Sequence, residues 1–150
     1  VNVETQMIDE HKVGVLLVRR GLACGRRNEM ESGVLNLVEG LSLLDVEADP
    51  RLTLCALHNL ALFLTHLGLT VLARAVLLRA KPLYQQVQDP LMSARLLWLE
   101  GSLARRAGRF QLAERKLEQA RLAFQAIDFR QAGQIRDELA DVRRELKKVA

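Results

Sequence analysis

Cysteine is scarce in this chain, with only Cys24 and Cys55 among 150 residues, both inside apolar stretches. A disulfide framework needs more of them, so the two read as buried free thiols and the chain as a cytoplasmic one. Aromatic residues are also few, at 4%, although hydrophobic residues make up 49%. The core is therefore built from Leu, Val and Ala, a mixture that suits helices over strands. No apolar run approaches the roughly 18 uncharged residues of a membrane span, and Val13–Val18 is far too short. The chain starts at Val1 with neither a Met nor a signal-peptide pattern, as expected of a processed or excised segment of a longer protein. There is no Gly-rich phosphate loop, no strand-turn-helix nucleophile motif and no pair of carboxylates on an evident cleft. Zinc-type Cys/His spacing is missing as well. An enzyme is not expected, nor a cofactor or a bound metal.

What the chain does have is a repeat. Gly21, Ala61 and Gly101 recur at an offset of 40 residues. So do Gly33, Ala73 and Ala113, then Gly40, Ala80 and Ala120, with Leu37, Leu77 and Leu117 between the last two sets. Asn28, Gly68 and Gly108 also align, and both residue types can end a helix in the left-handed conformation. Self-similarity at a fixed period marks a stacked-repeat architecture. Each unit here reads as a helix, a short turn and a second helix.

The punctuation supports this. Asp49-Pro50 and Asp89-Pro90 are helix starts, with Asp as the cap and Pro at the first helical position, where its missing N–H costs nothing. First helices are expected over about 50–67 and 90–107, second helices over 71–87 and 110–127. One period earlier the expectation is 11–26 and 29–44. Leu54, Leu57, Leu60, Ala61 and Leu64 form a core-facing stripe, and Leu112, Ala113, Leu117, Ala120 and Phe124 repeat it. The small residues let helix backbones approach closely. Pro82 lies inside a second helix and should kink or shorten it. The last segment, about 130–149, carries Ile135, Leu139, Val142, Leu146 and Val149 at spacings of four and three. It reads as a terminal capping helix, the alternative being a seam for self-association.

The string Leu97-Trp98-Leu99-Glu100-Gly101, followed by Gly108-Arg109-Phe110, Ala113, Leu117 and Ala120, resembles the tetratricopeptide repeat. The second repeat matches through Leu57, Leu60, Ala61, Gly68, Ala73, Leu77 and Ala80, with Thr70 where the turn aromatic belongs. The first is weaker, since Gly21, Gly33 and Gly40 replace most of the alanines. The period of 40 exceeds that family's usual spacing of about 34. This longer spacing, with its Asp-Pro starts, also looks like repeat regions of bacterial regulators that carry a helix-turn-helix DNA-binding domain, although no such domain is evident in this chain. The resemblance implies an all-α, right-handed α-solenoid of about three helical hairpins plus the capping helix. It would be a single domain over residues 1–150, with repeats near 14–53, 54–93 and 94–129.

Such arrays bind peptides or partner helices in a groove lined by their first helices. The resemblance places Arg19, Leu22 and Arg26 there from the first repeat, and His58, Asn59, Leu62, Thr65 and His66 from the second. From the third come Arg95, Trp98, Ser102, Arg105 and Arg106. Five are arginines and none is acidic, so the implied ligand is an acidic protein segment held by bidentate contacts. The plain alternative is a solvated basic face. The Lys/Asn carboxylate clamp of the chaperone-binding members is not matched, because those positions hold Val18, Leu22, His58 and Leu62. Trp98 is either a groove anchor or a packed residue beside Gly101. Glu100 should make a salt bridge or hydrogen bond at a helix contact. Net charge is +4, with 22 Lys and Arg against 18 Asp and Glu. The basic pairs are interleaved with acids and few aromatics are available to stack bases, so direct nucleic-acid binding is not expected. The functional expectation is a protein–protein interaction module, the sensory or assembly part of a bacterial regulator. The alternative is a homo-oligomerisation module acting through its C-terminal helix and apolar surface.

Overall fold

The computed structural model describes residues 3–150, with side chains from Glu10 onward. Among these residues the chain is all-α, with seven helices: α1 (Val3–Arg26), α2 (Met30–Leu43), α3 (Pro50–His66), α4 (Thr70–Val87), α5 (Pro90–Arg106), α6 (Phe110–Ile127) and α7 (Phe129–Lys148). They pack in successive pairs, α1 with α2, α3 with α4 and α5 with α6, while α7 lies on α6. The chain forms two compact units, Val1–Val87 and Gln88–Ala150.

The 40-residue period is written into the helix ends. Asn28, Gly68 and Gly108 are left-handed, with φ of 59°, 80° and 75°. After each, the next amide turns back to the helix: Glu29 N–H donates to the Cys24 carbonyl at 2.8 Å, Leu69 to Leu64 at 2.9 Å and Arg109 to Ala104 at 2.9 Å. This is the Schellman closure, which satisfies carbonyls that a helix end leaves open. At the starts, Asp49 Oδ1 accepts from the Leu52 amide at 3.0 Å, and Asp89 Oδ1 from Leu91 and Met92. Asp128 caps α7 in the same way, accepting from Arg130 and Gln131. That cap was not part of the sequence expectation.

Two expectations about helix limits need correction. The first helix starts at Val3, not near His11, because residues 3–10 contain neither Gly nor Pro to stop it. Of the two outcomes expected at Pro82, a kink or an early end, the early end does not occur, and α4 runs on to Val87. Leu78 and Pro82 both lie on the solvent side, so the carbonyl that loses its intrahelical donor faces water.

In the first unit, glycines replace the alanines of the repeat because the packing leaves no room for a Cβ. A Cβ built on Gly21 meets Leu37 Cγ at 2.8 Å, and one on Gly40 meets Val18 Cγ2 at 2.8 Å. Phe63 of α3 sets its buried ring against Gly25 of α1 and Gly33 of α2, so one aromatic ties three helices together. Val18, Leu37, Leu54, Ala61, Ala73 and Leu77 complete this core. Leu57 is only half-buried. Cys24 is buried and Cys55 half-buried, and both are free thiols.

In the second unit, Leu117, Phe124, Ile135, Leu139 and Val142 are fully buried together with Ala113 and Ala120. Leu146 packs at its edge and Val149 is exposed. The seam of α7 is therefore covered by the chain's own helices at Ile135, Leu139 and Val142. Burying each of those side chains stabilises by about 1.5–3 kcal/mol, so the seam is committed to capping. Self-association through it, the alternative reading, would require opening this core.

Candidate functional site

The first-helix faces can be followed residue by residue. On α1, Arg19, Leu22 and Arg26 fall at spacings of three and four, and so lie along one side of the helix. The next repeat places Asn59, Leu62 and His66 at the same register on α3, which packs against α1. Arg19, Arg26 and His66 are exposed, while Leu22, Asn59 and Leu62 are half-buried. Neither Arg19 nor Arg26 makes an ion pair with a described residue. The Asn59 amide donates to the Cys55 carbonyl at 2.8 Å, which leaves its side-chain oxygen free to accept.

Two residues expected on this face are not there. His58 is buried, its Nδ1 lying 2.6 Å from the hydroxyl of Tyr84 on α4, with the two rings edge to face. Thr65 is also buried and donates to the Ala61 carbonyl at 2.7 Å. His58 thus reaches the second helix of its own hairpin, and Thr65 bonds back to its own helix.

The second unit differs more sharply. Trp98 stacks edge-on against Phe124 at 5.7 Å between centroids, and its Nε1–H donates to Glu138 Oε2 at 2.9 Å. Ser102 Oγ donates to Glu138 Oε1 at 2.7 Å. Arg105 reaches Glu138 at 3.8 Å and Asp141 at 3.4 Å. The expected run of arginines without acids is thus corrected, since α7 supplies the acids. The signal was in the sequence, for Glu138 stands one period after Trp98. Like α5, α7 opens on an Asp cap, at Asp128. Arg95 stays half-buried with no carboxylate partner among the described residues, its Nη1 lying 4.0 Å from Met92 Sδ. Arg106 is exposed.

Charge pairing continues around α6 and α7. Arg143 bridges to Glu114 at 3.1 Å and to Glu118 at 3.7 Å. Arg121 donates to Glu118, and mainly this hydrogen bond holds the Glu118 carboxyl below its ordinary range. Glu100 pairs with Lys116 at 3.6 Å, as expected at a helix contact. Among the described residues no group of three or more His, Cys, Asp or Glu is placed to hold a metal ion. None of the helices described is long and apolar enough to cross a membrane.

Hairpins closed at left-handed residues 40 apart, with small residues at every helix contact, are the architecture that the sequence repeat implied. Comparison with family models matches residues 52–126 to the tetratricopeptide repeat. The chain belongs to the tetratricopeptide-repeat family. The matched segment runs from α3 through α6, which includes the two repeats whose sequence resemblance is strongest. Tetratricopeptide repeats are protein–protein interaction modules and typically non-catalytic, so protein partners follow for this chain. No curated protein and no solved structure matches it.

Proposed function

We propose that this tetratricopeptide protein holds an acidic segment of a partner protein against the first-helix face of its first unit. Arg19 and Arg26 take carboxylates, Leu22 and Leu62 supply apolar contact, and Asn59 and His66 add polar contacts at the rim. The observation that carries this reading is the contrast between the units. In the second, Arg105 lies against the carboxylates of an amphipathic helix, with Ser102 and Trp98 bonded to the same Glu138. In the first, Arg19 and Arg26 have no such partner among the described residues. The helix α7 is in effect an internal example of what a first-helix face accepts. Arg19 and Arg26 are about 10 Å apart along their axis, the separation of carboxylates seven residues apart on a helix, such as Glu138 and Glu145.

The 40-residue period and the Asp-Pro starts support the narrower reading of a sensory or assembly module in a cytoplasmic bacterial regulator. The test of binding is fluorescence anisotropy with a labelled synthetic amphipathic peptide carrying Glu, Asp and Glu at the spacing of 138, 141 and 145. Saturable binding is expected, weakened at least tenfold by Arg19→Glu/Arg26→Glu and by high salt. Equal binding by the variant would reject the assignment of this face.

A further inference from the structure

The outer faces of the two second helices in the first unit are unlike any ordinary solvated helix face, and they are unlike each other. On α4, Val71 is 77% exposed, Leu78 66% and Leu72 54%. Every charged residue of this helix is basic: Arg74, Arg79 and Lys81. On α2, Leu35 is 68% exposed and Val38 51%, and every charged residue is acidic: Glu31 and Glu39. None of these five charges pairs with a described residue of opposite sign. Leu35 and Val38 stand one period before Ala75 and Leu78, whereas Val71 and Leu72 stand one period after Glu31 and Ser32. In the third repeat the equivalent face of α6 reads Gln111, Arg115, Glu118 and Gln119, which is what a helix presents to water. Leu122 of α6 is 54% exposed as well, but α6 carries acids and bases together, so a single sign of charge beside exposed apolar residues is found on α2 and α4 and not on α6.

We infer that these faces are an interface for a second copy of this chain, with α2 of each protomer lying against α4 of the other. Charge complementarity selects this occupant. An acidic-apolar helix and a basic-apolar helix on one unit can satisfy each other between copies, and a two-fold axis forms both contacts at once and closes the assembly at two, where a head-to-tail arrangement would grow further. The spacing agrees: Glu31 and Glu39 lie about 12 Å apart along α2, and Arg74 and Lys81 about 10 Å apart along α4. Leu35, Val38, Val71 and Leu78 would form the apolar centre, with the charges fixing register at the rim. This surface is separate from the first-helix face and from the buried seam of α7.

The test uses two reversals at exposed positions, which leave the core untouched. One chain carries Arg74→Glu/Arg79→Glu/Lys81→Glu and the other Glu31→Lys/Glu39→Lys. Light scattering should give the wild-type chain twice its monomer mass of 16.9 kDa. Each reversed chain alone juxtaposes like charges and should be monomeric, with helix content retained by circular dichroism. Mixed in equal amounts, the two chains restore opposite charges at both contacts and should form a heterodimer. A wild-type monomer at all concentrations would overturn the inference. So would a dimer that survives either reversal, or growth beyond a dimer, which would refute the two-fold closure.

Discussion

Substituting alanine for glycine should have opposite effects at two positions of this chain. Gly25 and Gly133 both lie within helices, at conformations that alanine adopts freely. Removing the backbone entropy cost of glycine favours alanine by roughly 1 kcal/mol inside a helix. At Gly133 a Cβ meets nothing closer than Arg136 Nη2 at 4.0 Å, so Gly133→Ala should stabilise by about 0.5–1 kcal/mol. At Gly25 the new Cβ falls on the tip of the Phe63 ring, which is buried and is also packed against Gly33. Overpacking of this kind costs about 1–3 kcal/mol, which outweighs or cancels the gain, so Gly25→Ala should be destabilising by up to about 2 kcal/mol net. Urea denaturation followed by circular dichroism measures both. Phe63→Leu removes the ring tip, so in the Gly25→Ala background it should cost about 1–2 kcal/mol less than in the wild type. Stabilisation by Gly25→Ala, or strict additivity with Phe63→Leu, would refute the claim that this ring occupies the missing Cβ.

Three further outcomes are expected. Glu138→Gln removes a carboxylate that serves Trp98, Ser102 and Arg105 together; it should destabilise by about 1–2 kcal/mol and shift Trp98 fluorescence, whereas an unchanged emission spectrum would argue against the contact. Leu139→Glu buries a charge in the core of the second unit and should unfold that unit, with loss of helix content, instead of separating intact subunits. Asp128 has its carboxyl held below the ordinary aspartate range, first by the Gln131 side chain and then by the Gln131 and Arg130 amides. A depressed pKa stabilises the fold above the unfolded value and loses that contribution as pH falls through the folded one. The stability difference between wild type and Asp128→Asn should therefore shrink as pH falls below about 4, and a difference constant down to pH 2 would contradict the cap.

The helices were legible because their ends and contacts depend on residue types with few substitutes. Asp-Pro starts, left-handed closures at Asn28, Gly68 and Gly108, and small residues at Gly21, Ala61 and Gly101 each have a local physical reason. The binding face was harder to read, because register alone does not say which neighbour claims a side chain. His58 and Asn59 are adjacent, yet Tyr84 holds one inside while the other is half-buried. Ser102 and Arg105 have no acid within their own repeat in reach, because Glu138 and Asp141 come from α7, whose apolar seam does not say which neighbour its carboxylates will meet. The fit of Phe63 between Gly25 and Gly33 was out of reach, since it joins three helices through residues that share no local pattern. Gln88, left-handed at φ 51°, was hidden for a similar reason: nothing in its residue type favours that conformation.

The central claim is that the open first-helix face, and not another surface, receives an acidic partner. Amide chemical-shift mapping of the labelled chain, titrated with the acidic amphipathic peptide, tests it most directly. The account predicts perturbations concentrated between Arg19 and Arg26 on α1 and between Asn59 and His66 on α3. Perturbations confined to the Val71–Pro82 face of α4, or none at peptide concentrations that saturate the anisotropy signal, would contradict it.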